Sequence, residues 1–293
     1  MRTAFVRAAV DLLDEVPQTA IVLADISADR FADASERHPG RVVNVGIREQ
    51  LMVSVSAGMA LEGLRPFVHS YAPFLVERPY EQLKLDVGHQ EAGVVLVSIG
   101  ASYDGSREGR THQAPGDVAA LDALTGWRVH VPGHPAEIEP LMRAAAQHRD
   151  PEYIRLSSQQ NTAAMGDGSG KMTQVRSGRK ATVIAVGPTL DATLDAVQNL
   201  DVTVLYATSI RPFDGATLRD HMAQPNVVLV EPYLEGTSAH AVSSALQALP
   251  HRLLSVGVQP GEVRRYGDPA DHVRAHGLDP QGIASRVRAF LDT

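Results

Sequence analysis

The chain contains no cysteine, which excludes disulfides, thiolate metal sites and a cysteine nucleophile. It has no apolar run of membrane-spanning length. The stretch MRTAFVRAAVDLLDEVPQ is broken by Arg7 and Asp11, so it reads as an amphipathic helix and not as a secretory signal. Basic runs are missing too. A net charge of −7 and a pI near 5.9 argue against nucleic acid or an anionic membrane as the main partner. The expected location is the cytoplasm.

What is present is an ordinary α/β composition, 44% hydrophobic and 21% charged, enough for a sizeable core. At 293 residues, length alone suggests about two domains. Short apolar runs (TAIVLADI, RVVNVGI, PFVHSY, GVVLVSI, WRVHVP, YIRLS) alternate with amphipathic stretches at Glu49–Leu61, Leu75–Val87, Asp117–Leu124 and Pro135–His148. Strands alternating with helices imply βαβ units and a mostly parallel sheet covered on both faces. A polar, glycine-rich segment, QQNTAAMGDGSGKMTQVRSGR, then interrupts the pattern before a second, smaller α/β series begins at KATVIAVG. The expected organisation is a first domain over 1–160, a flexible linker over 161–178 and a second domain over 179–293.

Two motifs in that linker are decoys. Gly166-Asp167-Gly168 followed by Asn199 imitates the GDG…N motif that holds a metal diphosphate, but it lacks the buried strand before and the packed helix after. GDGSGKM hints at a phosphate loop but has the wrong glycine spacing, and Met172 stands where a magnesium-binding hydroxyl belongs.

The chemistry is concentrated earlier. In NVGIREQ, Glu49 sits where a buried strand feeds a buried helix, and a buried carboxylate needs a partner. Read alone, it is either a helix-start glutamate favoured by the macrodipole or a catalytic group. Downstream follow SYAPFLVERPYEQ (residues 70–82) and GRTHQ (residues 109–113). Together these three ordered motifs resemble the transketolase family, namely its pyrimidine-binding and C-terminal domains. Deoxyxylulose phosphate synthase spells the last two FLxRxYDQ and GQTHQ. SIRPFD, VVLVEP and a late RYGD…HGL…I pattern extend the resemblance over essentially the whole chain.

The resemblance implies two three-layer α/β/α domains and thiamine diphosphate as cofactor. It implies that Glu49 meets the cofactor's pyrimidine nitrogen and Phe74 stacks on its aminopyrimidine, with Tyr71 and Ile26 beside it. His112 would face the donor sugar, suited to orienting hydroxyls and passing protons. Arg78 and Arg155 are implied near substrate, and His69 as a further lining residue of the same cavity. Arg78 could instead serve only an ion pair. Nothing here supplies the diphosphate and metal ligands, so the expectation is a split enzyme. A separate subunit would hold the diphosphate and Mg2+ (or Ca2+), with the site formed between subunits of an α2β2 assembly.

Four departures bear on substrate. Glu108 replaces the family's aspartate before THQ, after an apparent insertion around SYDGSR. Ser158 falls where a phosphate-contacting arginine is usual, and Asp29 falls where a phosphate-holding hydroxyl is usual. A family histidine is also missing around Ser98–Ala101. The expected activity is transfer of a two-carbon ketol unit from a ketose to an acceptor, and the ordinary sugar-phosphate pocket is in doubt. The rivals are the β subunit of a 2-oxo acid dehydrogenase, against which THQ speaks, and a non-catalytic paralogue that keeps the fold alone.

Overall fold

Six short runs of the first half form strands β1 (Thr19–Leu23), β2 (Val42–Asn44), β3 (Arg65–Tyr71), β4 (Val95–Ile99), β5 (Arg128–His130) and β6 (Glu152–Arg155). The computed structural model describes residues 1–261, 264 and 266–292. Alternate side chains of these strands enter different cores, as the two-residue period of a strand requires. Ile21, Leu23, Phe67, Val95 and Val97 pack beneath Phe5, Leu12 and Leu13 of helix α1 (Arg2–Glu15). Val22, Val68 and Leu96 pack on the opposite face. The second half adds β7 (Thr173–Arg176), β8 (Thr182–Val186), β9 (Thr203–Ala207), β10 (Ser209–Arg211), β11 (Asn226–Leu234) and β12 (Arg252–Val258).

The strands build two sheets, ordered β10-β5-β6-β4-β3-β1-β2 and β12-β11-β8-β9-β7. All pairings are parallel except β10 on β5 and β7 on β9, which are antiparallel edge additions. The remaining helices are α2 (Ala32–Arg37), α3 (Glu49–Leu61), α4 (Tyr80–Gln82), α5 (Asp117–Asp122), α6 (Ile138–Ala145), α7 (Leu190–Ala196), α8 (Gly215–His221), α9 (Ala239–Ala245), α10 (Pro269–Ala275) and α11 (Pro280–Leu291). The fold is α/β with helices on both faces of each sheet, as the alternating pattern implied.

Several local expectations change. Thr173–Arg176, expected within the linker, is an edge strand of the second sheet. The coil before it is held: Glu137 accepts hydrogen bonds from the backbone N–H of Met165 and Gly166, each at 2.9 Å, and from the Tyr206 hydroxyl at 2.8 Å. Strand β10 lies just beyond β9 in sequence yet pairs with the first sheet, so the two domains share a sheet edge. The amphipathic stretch Leu75–Val87 is not one α-helix. Pro73–Glu77 and Leu83–His89 are π-helical, with α4 between them, and Pro79 supplies no N–H to continue a regular ladder. Arg265, first residue of the RYGD pattern, lies outside the described residues.

One fully buried ion pair ties these parts together. The Arg155 Nε at the end of β6 donates to Asp117 Oδ2 at the start of α5, at 2.7 Å, and neither side chain is exposed. Arg155 Nη2 also donates to Ser102 Oγ at 2.7 Å, and Tyr153 donates its hydroxyl to Asp117 at 2.7 Å. Removing one partner of such a pair strands the other charge in the core. Asp117→Ala is expected to destabilise the protein by about 3–5 kcal/mol, measured by urea denaturation. The double change Asp117→Leu with Arg155→Met is expected to cost less than the single one.

Candidate active site

The site begins where β1 and β2 end. Asn44 Oδ1 accepts from the N–H of Asp25 and Gly46, and Asn44 Nδ2 donates to Asp25 Oδ1 at 3.0 Å, which stitches the two strand-end loops together. Asp25 and Ser27 both adopt left-handed backbone (φ 63° and 65°) on either side of the half-buried Ile26. Non-glycine residues there are strained, and such strain gathers at functional sites. Gly46, at φ 71°, then turns the chain into α3, whose first residue is Glu49.

Glu49 is 4% exposed. Its carboxylate accepts from Arg78 Nη1 at 2.8 Å, and the Arg78 guanidinium lies 3.8 Å from the centre of the Phe74 ring. The π turn makes this possible. FLVER places one more residue between phenylalanine and arginine than FLxRxYDQ does, and the wide turn closed by Arg78 N–H on Pro73 O (3.2 Å) absorbs it. Two further rings gather around Phe74. His112 lies 5.0 Å from Phe74 and 5.6 Å from Tyr71, and Tyr71 lies 5.8 Å from Phe74, all edge to face. Two glycines make room. A Cβ on Gly100 would stand 2.4 Å from the Tyr71 ring, and one on Gly105 would stand 2.8 Å from His112 Cβ.

Beside Tyr71 opens a cleft of about 380 Å³, lined by Gly100, Asp104, Glu108, Ser157 and Ser158 and by Met1 and Arg2. Glu108 and Ser158 are exposed there. Asp104 was not anticipated as a site residue. It accepts from Ser158 N at 2.7 Å, Ser158 Oγ at 2.8 Å and Ser157 Oγ at 3.0 Å. Burial pushes its carboxyl up from the ordinary value, and these donors oppose the rise. The available signal is the apparent insertion SYDGSR, which contains Asp104.

Other expected site residues lie elsewhere. Asp29 is exposed on the 3-10 turn Ala28–Phe31 and does not line the cleft. Arg155 is enclosed by Asp117 and Ser102 and does not line it either. His69 is fully buried behind the sheet end, against Phe5 at 4.4 Å between ring centres. Its Nδ1 donates to the Val97 carbonyl at 2.7 Å, so Nε2 accepts from the Ser27 hydroxyl at 2.9 Å. This neutral imidazole braces the strained Ser27 from beneath.

Residues 1–163 match the family model of the transketolase pyrimidine binding domain, and 170–283 match that of the transketolase C-terminal domain. The chain belongs to the transketolase family. It is 49% identical to an "uncharacterized 33.6 kDa protein in fasciation locus" of Rhodococcoides fascians, over 99% of this chain and 95% of that protein. It is 29% identical to one subunit of the apulose-4-phosphate transketolase of Actinobacillus succinogenes, over 95% of this chain and 93% of that one. The 1-deoxy-D-xylulose-5-phosphate synthase of Thioalkalivibrio sulfidiphilus is 32% identical, but the match covers 42% of its length. Among solved structures, a split gene transketolase described as an inactive beta4 tetramer superposes with a TM-score of 0.86 at 25% identity, over 99% of this chain and 97% of that one. The transketolase fold and the relationship to split transketolase subunits are therefore established for this chain.

Burial lowers the His69 pKa to about 4, with the Val97 hydrogen bond opposing the shift. Its folded pKa lies below the unfolded value, so the unfolded chain takes up the proton first, and stability falls as pH drops from about 6.5 towards 4. Glu231 works in the opposite sense. Burial raises its pKa to about 7, so its contribution is lost as pH rises towards 7. Comparison with His69→Gln separates the two. Between pH 6.5 and 4 the wild type is expected to lose roughly 3 kcal/mol relative to the variant, read from urea midpoints across that range.

Proposed function

We propose that this chain is the pyrimidine-binding subunit of a two-component, thiamine diphosphate-dependent enzyme. It moves a two-carbon ketol unit from a ketose donor to a carbonyl acceptor. The separate partner subunit holds the diphosphate and its Mg2+ (or Ca2+), in an α2β2 assembly. Likeness to proteins described as a transketolase subunit and as a split gene transketolase supports the two-subunit reading.

The observation that carries the proposal is what lies between Glu49 and Phe74. Arg78 fills that seat with a flat, delocalised cation that donates to the carboxylate and stacks on the ring. A protonated pyrimidine ring makes the same two demands, so the residues present fit the cofactor's aminopyrimidine. When bound, thiamine diphosphate supplies the electron sink for breaking and forming carbon–carbon bonds.

The chain's own residues do the rest. Glu49, shielded from water, holds a proton at the pyrimidine ring nitrogen. Phe74 offers its face once Arg78 moves aside, and Tyr71 walls the channel leading outward. His112, half-buried, with Nδ1 3.0 Å from the Thr111 hydroxyl, orients the donor's hydroxyls and relays a proton. Glu108, in the same loop, faces the cleft and accepts hydrogen bonds from substrate hydroxyls.

In the assembly with the partner subunit, Glu49→Gln is expected to slow proton–deuterium exchange at the cofactor's thiazolium C2 by roughly 10²–10⁴, with the fold unchanged by circular dichroism. Near-normal exchange would return Glu49 to a helix-start role. The lone chain is expected to bind thiamine diphosphate only weakly in calorimetry, and micromolar affinity without the partner would sink the divided site.

A further inference from the structure

We infer that the acceptor end of the cleft is built for an unphosphorylated polyhydroxy aldehyde and not for a sugar phosphate. This deepens the reading of the cleft as the transferase's substrate channel and rests on it.

The cleft wall is occupied by groups that suit hydroxyls. Asp104 is tied into it by the Ser158 N–H and by the Ser157 and Ser158 hydroxyls. Those donors could otherwise cradle a phosphate, but here they are spent on a carboxylate of the chain itself. Glu108 adds a second carboxylate to the same wall. Among the described residues, the cationic groups lining the cleft are the Arg2 side chain, whose Nε donates to Ser27 at 2.9 Å, and the Met1 ammonium, which Asp104 offsets.

The other nearby guanidinium groups are engaged elsewhere. In the cofactor-free chain Arg78 pairs with Glu49 and does not line the cleft, Arg155 is sealed against Asp117, Arg107 pairs with Asp268 of the second domain, and Arg110 Nη1 donates to the Gln113 carbonyl at 2.7 Å. A phosphate dianion would therefore meet two carboxylates, with the Met1 ammonium already offset by Asp104 and the Arg2 guanidinium tethered through Nε to Ser27. Sugar hydroxyls would find strong acceptors in Asp104 and Glu108, as neutral donors do beside carboxylates.

The test needs neither cofactor nor turnover, so its outcome is independent of the Glu49 exchange measurement. The full chain, with labelled histidine and tyrosine rings, is titrated with D-ribose and with D-ribose 5-phosphate while the His112 and Tyr71 resonances are followed by NMR. Ribose is expected to shift both, and the phosphate ester to require about tenfold more for the same shift, because the cleft's cations are already engaged by Asp104 and Ser27 while Glu108 repels the dianion. Ser158→Arg, at an exposed position, and Ser158→Arg with Asp104→Asn are expected to reverse that order. Tighter binding of the phosphate ester by the wild type would overturn the inference. So would an unchanged order in both variants, or no shift with either sugar.

Discussion

The buried pair of Asp117 and Arg155 is the constraint on which the site's shape depends. A guanidinium and a carboxylate taken wholly out of water are tolerated only when each finds several partners. Here those partners come from four places. Tyr153 belongs to β6, Ser102 to the loop after β4, the Ala114 carbonyl to the segment following His112, and the Tyr233 ring, 5.5 Å from the guanidinium, to β11 of the second domain. Satisfying one buried charge thus brings a strand end, a helix start, both arms of the His112 loop and the neighbouring domain to one point. Ser102 also donates to the Pro232 carbonyl of β11.

The same loop explains what the second domain does for a cleft whose lining residues all come from the first. Tyr103 stacks on His272 and His276 of the second domain, with ring centres 5.4 and 5.9 Å apart. Ser106 donates to the Gly267 carbonyl at 2.7 Å, and the Arg107 Nε donates to Asp268 at 2.6 Å. Gly109, at φ 82°, lies so close to the Tyr266 ring that an added Cβ would stand 2.6 Å from it. Residues 102–112 are therefore clasped from outside while Arg155 holds them from within. His112 and Glu108 keep their places although neither stands on a regular strand or α-helix.

The elements with strong periodicity could be read directly. The helix Glu49–Leu61 and the buried runs of β1, β3 and β4 follow from a continuous apolar pattern, which burial on both faces of a parallel sheet imposes. Weak or mixed patterns could not be read so well. Helix α10 is short, and its start depends on a capping box between Asp268 and Asp271. Strand β7 is an edge of four partly exposed residues inside a polar segment. At the site, the motifs pointed to Glu49, Phe74, Tyr71 and His112, which the fold gathers around one seat. Asp104 stood in what looked like a mere insertion, and its role emerges only from Ser157 and Ser158, more than fifty residues away.

The chain's order of residues by itself determined the alternating strands and helices, the family, and a carboxylate at a helix start followed by an aromatic, an arginine and a histidine. These are local patterns, set by side-chain period and by motif. Tertiary structure alone decided which charges face the cleft and which are sealed away. His69 and Arg155 look as available in sequence as His112 and Arg78, yet the first pair is fully buried among its own partners and the second borders the seat. That division follows from the cost of burying charge and polarity. Each such group must be placed where distant parts of the chain can satisfy it, and only folding brings those parts together.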